Sequence, residues 1–269
     1  MEKTTERLTI GVPAPAWMDS LKVPQKEPVM ATIVAEGGMG KTSLAALWPS
    51  PIFIPVEDGS ASLVGREVQP AFFPTPGQDG YSGNCRAVGS DWVLECIEKL
   101  AEGGHPFKTV VIDSITQLST LIESEVIDSD PKKPKSINQA LGGYGAGFSA
   151  MSDIHEKLRK ACGYLKSKGM NVLFLAHANS EKVSPPDQPE YMRYSIRMHK
   201  DSVCHYSDNV DMVAFIKLRT FVSEEKKATS SGQRIITCYP IPSHISKNRY
   251  GITKYLDFIE GQNPFQAIL

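Results

Sequence analysis

The sequence lacks several features that would assign a protein to a class at once. Its 269 residues hold no unbroken apolar run of about 18 residues, the length that indicates a membrane-spanning helix. The first residues do not form a secretory-signal pattern. With 29 basic and 30 acidic residues the net charge is −1, so overall charge does not indicate a nucleic-acid partner, and any such contact must come from a local patch. We expect a soluble intracellular protein without a membrane partner.

Paired cysteines are also missing. The five cysteines are widely spaced and include no C-x-x-C pair. This pattern argues against a disulfide framework and a zinc site, and it favours a reducing compartment such as the cytoplasm. The apolar content of 41% and the charged content of 22% are ordinary for a globular protein, and the chain is long enough to bury a core.

A phosphate-binding pattern lies near the N-terminus. Residues 35–42 read A-E-G-G-M-G-K-T, the phosphate-loop pattern with Ala35 in place of its first glycine. An apolar run at 29–34 precedes it and a helix-forming stretch at 43–48 follows, the strand–loop–helix context that the motif requires. Glycines let backbone amides turn toward phosphate oxygens, and Lys41 and the Thr42 hydroxyl supply a cation and a Mg²⁺ ligand. The residues expected to bind ATP, or GTP in the alternative, are Ala35, Glu36, Gly37, Gly38, Met39, Gly40, Lys41, Thr42 and Ser43.

Strand and helix signals alternate along most of the chain, which predicts an α/β fold with a mainly parallel central sheet and helices on both faces. After an extended lead-in at 1–28, we find no repeat or linker and expect one domain over 29–269. Further predicted elements are strands at 52–56, 107–112 and 171–176, helices at 90–102 and 149–168, and a C-terminal β-hairpin from strands near 210–218 and 233–241.

Three of the predicted strands end in polar side chains. Asp113 closes a buried strand and is the expected Mg²⁺-side carboxylate. Glu57 ends the strand after the phosphate-loop helix, where a carboxylate orients and deprotonates the attacking water, with Asp58 as its rival. His177 ends a third strand and is expected to sense the γ-phosphate. The alternatives are a surface acid for Glu57 and a structural histidine at the sheet edge for His177.

These features occur together and in order, and the arrangement resembles the RecA-like ATPase core. It looks most like the short phage recombination proteins with that core, the single-strand-annealing ATPases of the Sak group. RecA itself has glutamine at the position of His177. The resemblance covers roughly residues 29–258 and implies a RecA-like P-loop NTPase fold. It is carried by segments 35–42, 57–59, 110–118, 149–168, 171–177 and 247–251.

The resemblance also implies two loops that face DNA, one after the Asp113 strand and one after His177. Segments 130–145 and 184–200 combine cations with aromatic residues, a mixture that follows a single strand by charge and stacks on its bases. Nearby carboxylates weaken the positive field, so two solvated surface loops remain the alternative. The candidate DNA-binding residues are Lys132, Lys133, Lys135, Tyr144, Arg193, Tyr194, Arg197 and Lys200.

Lys247 and Arg249 are the last candidates that the resemblance supplies. In RecA-like oligomers, cations of this kind complete the active site of a neighbouring subunit, which implies a homo-oligomeric ring or filament. The alternative is that both are exposed residues on a strand edge.

The predicted function is a DNA-stimulated ATPase of a phage-type recombination protein in the host cytoplasm. It would bind single-stranded DNA and promote annealing or strand exchange, with a single-strand-binding protein as a further partner. Two alternatives stay open: a ring helicase or packaging-type motor, and a nucleotide-gated DNA-binding scaffold that hydrolyses little ATP.

Overall fold

The structure is a computed structural model that describes residues 26–64, 70–222 and 228–269. Most of the expected lead-in, residues 1–25, lies outside the described residues. The strands are β1 (Met30–Ala35), β2 (Pro51–Pro55), β3 (Ala71–Phe72), β4 (Thr109–Asp113), β5 (Asn171–Val183), β6 (Tyr191–Ile196), β7 (Met212–Val222), β8 (Ala228–Thr237), β9 (Lys247–Asn248) and β10 (Leu256–Asp257). The helices are α1 (Lys41–Ala45), α2 (Ser90–Ala101), α3 (Ile115–Ser129), α4 (Ala146–Ser167) and α5 (Lys200–Ser207), with 3₁₀ turns at Ser60–Leu63 and Ile137–Gly142.

The described strands form one ten-stranded sheet. Its order is β10-β8-β7-β1-β5-β4-β2-β3, with β6 added to β5 and β9 to β7. Strands β7, β1, β5, β4, β2 and β3 run parallel, and β8 returns antiparallel along β7 as the C-terminal hairpin. The mixed α/β fold with a mostly parallel sheet is confirmed.

The central strands are apolar throughout because both of their faces are buried. On β4, Val110 and Ile112 join the cluster beneath α2–α5, whereas Val111 joins the cluster on the opposite face. That second cluster contains Leu44 of α1 and Phe265 near the C-terminus. Helices and the C-terminal segment therefore cover the two faces of the sheet.

Some element bounds differ from the sequence prediction. Helix α3 was not predicted, and it separates Asp113 from the first expected DNA loop. Strand β5 continues past His177 to Val183 and pairs with β6, so the second expected loop is largely a hairpin. Apolar periodicity ends at the sheet edge, so a strand that continues into solvent leaves no such signal.

The topology places the polar strand ends at one edge. Strand β1 lies between β5 and β7, with Ala35 beside His177. Pro55 lies beside Asp113, and Asp113 beside Leu175. Because parallel strands end at the same edge, the phosphate loop, Glu57, Asp113 and His177 converge there. Within the described ranges, no helix combines the length and the apolar character needed to cross a bilayer.

Candidate functional site

The phosphate loop joins β1 to α1. Its last residue before the helix, Gly40, has φ of 91°, and a Cβ there would lie 2.5 Å from Arg234 Nη1 and 2.9 Å from Phe258 Cε1, so glycine is required. At Gly37 and Gly38 a Cβ would meet nothing within 4 Å, which leaves the loop surface open. The first helical hydrogen bond runs from Leu44 N to Gly40 O at 2.9 Å, so the preceding amides stay outside the helical ladder.

Ala35 occupies the position where the usual pattern has its first glycine. It is the last residue of β1, fully buried in the apolar cluster on the α1 side of the sheet. A methyl group is accommodated there because the position belongs to the sheet core and not to the open part of the loop. The residues that form the curl of the loop, 36–40, follow the end of this strand.

Lys41 is folded back into the loop. Its side chain is 7% exposed, and Nζ donates to Glu36 O at 3.2 Å and to Ala35 O at 3.4 Å. Burial lowers the pKa of Lys41, an effect that the charges of Asp113 and Glu57 oppose. The ammonium group is therefore held against the loop carbonyls on the wall of the cavity, where a phosphate would supply the negative charge that the carbonyls lack.

Thr42 and Asp113 are joined by a hydrogen bond. The Thr42 hydroxyl donates to Asp113 Oδ2 at 2.8 Å. Asp113 is 4% exposed, and burial raises its pKa to about 6. A buried carboxylate with a raised pKa favours a proton or a cation, so this pair fits the Mg²⁺ that accompanies a nucleotide, and Thr42 and Asp113 are the residues that would hold it. When bound, the ion would neutralise phosphate charge. Among the described residues, no group of three or more His, Cys, Asp or Glu side chains converges on a metal position.

His177 links Glu57 to Lys41. Its Nε2 lies 3.1 Å from Glu57 Oε1 and its Nδ1 lies 3.4 Å from Lys41 Nζ. An ammonium group only donates, so Nδ1 is the acceptor in this contact, and Nε2 is the ring nitrogen that donates to the carboxylate. The hydrogen bond from His177 is the main cause that lowers the pKa of Glu57. Glu57 is therefore an ionised carboxylate at the phosphate end of the sheet, whereas Asp58 is exposed.

Arg234 is a site residue that the sequence analysis missed. It lies on β8, yet Nη1 donates to Met39 O at 3.3 Å, and its guanidinium carbon lies 4.3 Å from the centre of the Phe258 ring. A cavity of about 410 Å³ brings Arg234 together with the phosphate loop, Glu57, Asp113 and His177. No sequence signal marks Arg234, because its position depends on how the hairpin folds back along the sheet.

Lys247 and Arg249 lie at the opposite edge of the sheet. Lys247 pairs with Val213 near the start of β7 and donates to Asp208 O at 2.6 Å. Arg249 Nη1 lies 3.0 Å from Asp211 Oδ1, and the side chain is 65% exposed. The fold therefore does not bring these two cations to the phosphate loop of the same chain.

The first expected DNA loop follows α3. Asp130 is buried and accepts hydrogen bonds from Lys132 N at 2.9 Å and Leu141 N at 2.6 Å, which closes the loop on itself. Lys133 donates to Asp128 O at 2.8 Å, and Tyr144 is fully exposed. Lys135 is exposed as well.

The second expected DNA segment is the β5–β6 hairpin and the residues after it. Arg193 Nη2 lies 2.6 Å from Glu181 Oε1, so its charge is paired, whereas Tyr194 is 40% exposed. Arg197 is exposed, its backbone amide donates to His177 O at 2.8 Å, and its charge lowers the pKa of Lys41. Lys200 is exposed at the start of α5.

Comparison with known proteins agrees with this geometry. The family model described as an AAA domain matches residues 27–250, most of the chain, and the matched segment includes the phosphate loop, Asp113 and His177. A search of curated proteins finds no match. The chain therefore belongs to the AAA domain family, whose members are nucleotide-binding ATPases of the P-loop class.

Proposed function

We propose that this ATPase is a recombination protein of the phage type that binds single-stranded DNA as an oligomer and promotes annealing or strand exchange. The observation that carries the proposal is the course of β5. His177 faces Glu57 and Lys41, and the same strand runs without a break into the hairpin that presents Tyr194 and Arg193. A change at the γ-phosphate end is therefore transmitted along a paired strand to a surface suited to DNA.

The nucleotide chemistry assigns a role to five of the residues around the cavity. Lys41 binds the β- and γ-phosphates, and Thr42 and Asp113 would hold the Mg²⁺ that accompanies them. Glu57 orients the attacking water and accepts its proton, for which an ionised carboxylate is needed. His177 holds Glu57 in place and senses the γ-phosphate through its contact with Lys41.

The two candidate DNA surfaces adjoin in the fold. Phe148 at the start of α4 stacks on His199 with ring centres 3.8 Å apart, which places the end of the 130–145 loop beside the segment that follows β6. Tyr144, Arg197 and Lys200 are exposed in these two regions. Exposed cations and an aromatic ring are the components of single-strand binding.

The position of Arg249 supports an oligomer. It and Lys247 lie at the sheet edge opposite the phosphate loop, so only a neighbouring subunit could bring them to a nucleotide. Head-to-tail contacts of this kind generate rings or filaments. A single-strand-binding protein is the further partner that the resemblance to the Sak group suggests.

The test is ATP hydrolysis with and without single-stranded DNA, with Lys41→Ala as the blank. We expect DNA to stimulate hydrolysis and the protein to anneal complementary strands. Duplex unwinding would instead identify a helicase-type motor. DNA binding that needs an ATP analogue but no hydrolysis would identify a nucleotide-gated scaffold. An unstimulated rate with no DNA retained at low salt would reject the recombination function.

A further inference from the structure

A second cavity borders the phosphate loop, separate from the nucleotide cavity. It has a volume of about 300 Å³ and is lined by Glu36 and Met39 of the loop together with Tyr194, Phe215, Lys217 and His244. The nucleotide cavity is lined by Gly38 and Gly40–Ser43 of the same loop, and the two cavities share no lining residue. The phosphate loop is therefore enclosed between two cavities, of which the nucleotide chemistry uses one.

Aromatic rings form one wall of this second cavity. Phe215 and His244 stack with ring centres 4.4 Å apart and an angle of 22° between the planes, and the Tyr194 ring lies 5.5 Å from Phe215. Burial and the charge of Lys217 lower the pKa of His244 to about 4, so its ring is uncharged at neutral pH. Tyr194 remains 40% exposed, which leaves an aromatic surface open to a planar ligand.

The wall is held rigidly by backbone pairing. Tyr194 N donates to Ser243 O at 2.9 Å, and Ile245 N donates to Tyr194 O at 2.8 Å. The segment that carries His244 is thereby attached to β6, the outer strand of the β5–β6 hairpin. The cavity is part of the folded framework between the two hairpins.

Lys217 supplies a cation in this cavity. It lies on β7 and is half-buried, and within the described ranges it makes no hydrogen bond or ion pair. Burial lowers the pKa of Lys217, with no carboxylate acting to raise it, although Glu36 also lines the cavity. His244 also lines the cavity, and its buried Nε2 has no partner among the described residues. A partly desolvated ammonium with no ion-pair partner among the described residues favours an anionic ligand.

We propose that this cavity binds one nucleotide unit of a single DNA strand, with the base against Tyr194 and the phosphate at Lys217. The volume is at the lower end of ordinary ligand sites, which suits one nucleotide and not a longer segment. Tyr194 of the β5–β6 hairpin, itself a DNA candidate, lines the cavity, so a strand bound on that hairpin reaches it directly. This inference rests on the proposed single-stranded DNA function.

The position of this cavity beside the phosphate loop also connects DNA binding to ATP binding. Glu36 lines the cavity, and its carbonyl oxygen accepts the hydrogen bond from Lys41 Nζ at 3.2 Å. A ligand that moves Glu36 therefore moves a group that holds the phosphate-binding lysine. DNA binding in this cavity gives a short physical route by which a single strand changes ATP affinity.

The test measures the affinity of a fluorescent oligo-dT strand over a series of salt concentrations, with a non-hydrolysable ATP analogue present. For Lys217→Gln we expect the slope of log affinity against log salt to fall by about 0.7, the value for one lost phosphate contact on a single strand. Lys160→Gln is the matched control, because Lys160 is exposed on α4 and pairs with Glu156, and its slope should equal that of the wild type. Equal slopes for Lys217→Gln and the wild type would overturn the proposal.

A second measurement uses the wild-type protein, so that a folding defect in a variant cannot decide the result. Oligo-dT containing 5-iododeoxyuridine should cross-link on irradiation to Tyr194 or His244. Cross-links found only elsewhere would overturn the assignment. Substituting Tyr194→Leu should weaken binding on the order of tenfold, whereas Tyr194→Phe should keep it, because stacking needs the ring and not the hydroxyl.

Binding of a mononucleotide, dTMP, distinguishes a DNA strand from a free nucleotide as the ligand of this cavity. If dTMP binds at Lys217 while the salt slope for oligo-dT is the same in wild type and Lys217→Gln, the ligand is a free nucleotide and the DNA assignment is wrong. A wild-type protein that retains no DNA at all would reject the proposed function together with this site. A wild-type protein that binds DNA while Lys217→Gln leaves binding unchanged would reject this site alone.

Discussion

Nε2 of His177 lies 3.1 Å from Oε1 of Glu57, although the two residues are 120 positions apart in the chain. The same imidazole lies 3.4 Å from Lys41 Nζ, so one ring contacts both the carboxylate and the phosphate-binding lysine. A γ-phosphate that draws Lys41 away would leave the ring with Glu57 alone. This contact with the ring favours Glu57 over its neighbour Asp58 as the carboxylate proposed to act on water.

Glu57→Gln should lower kcat for ATP hydrolysis by about 100-fold or more while leaving ATP binding nearly unchanged, because a general base is lost and the phosphate contacts remain. Asp58→Asn is the matched control, since Asp58 is exposed, and it should retain most activity. Steady-state hydrolysis and binding of a fluorescent ATP analogue measure the two effects. A Glu57→Gln variant that hydrolyses ATP at the wild-type rate would remove this role.

Asp113→Asn should stabilise the nucleotide-free protein while abolishing hydrolysis. The pKa of Asp113 is raised from 3.8 to about 6 by burial, so the folded state binds the proton more tightly and its stability falls as pH rises between about 4 and 6. At about 1.4 kcal/mol per pKa unit, replacing the buried charge raises the free energy of unfolding by at most about 3 kcal/mol above pH 6. Urea unfolding of both proteins at pH 4 and pH 8 measures the difference. If the two proteins differ in unfolding free energy by the same amount at pH 4 and pH 8, the buried charge of Asp113 is not the cause of the difference.

Arg234→Gln should weaken ATP binding by roughly 10- to 100-fold, the loss expected for one hydrogen bond from a charged group. Its guanidinium donates to Met39 O beside the open loop surface, where it can also reach a phosphate. Arg219→Gln removes the same charge from the same hairpin, but Arg219 lies over the Tyr255 ring, so that variant should bind ATP normally. Calorimetric titration with a non-hydrolysable analogue compares the three proteins, and equal affinities would exclude Arg234 from the site.

Mixing inactive variants should restore hydrolysis if subunits share their sites. Lys41→Ala protomers retain Arg249, and Arg249→Gln protomers retain a working phosphate loop, so only mixed interfaces hold both. We expect the mixture to recover part of the wild-type rate, with its maximum near equal amounts. Mixing Lys41→Ala with Glu57→Gln is the control. Both residues line the same cavity, so every cavity in that mixture carries one of the two defects, and the mixture should stay inactive. A mixture as inactive as its components would place Arg249 outside catalysis.

Much of the site could be predicted because its residues carry local signals. The phosphate loop is a contiguous pattern, and Glu57, Asp113 and His177 each end an apolar run. In a parallel sheet such ends meet at one edge, so their convergence follows once the strands are recognised. The hairpin of β7 and β8 was predicted for the same reason, from two apolar runs around a polar turn.

The remaining features depend on long-range packing. Arg234 reaches Met39 across 195 positions, and no periodic pattern marks that contact. The pairing of Arg193 with Glu181 arises only because β6 folds back on β5, beyond the apolar part of the strand. The placement of Lys247 and Arg249 at the far edge follows from the antiparallel pairing of β9 with the start of β7.

The sequence by itself determined that this chain is a P-loop ATPase with a mostly parallel sheet, because loop glycines, Lys41 and apolar strands are locally encoded. Only the tertiary structure decided which side chains complete the site and which lie elsewhere. It brought Arg234 to the phosphate loop and enclosed a second cavity around Lys217 and His244. The physical reason is that strand pairing and burial act between residues far apart in the chain, where the sequence carries no local record of contact.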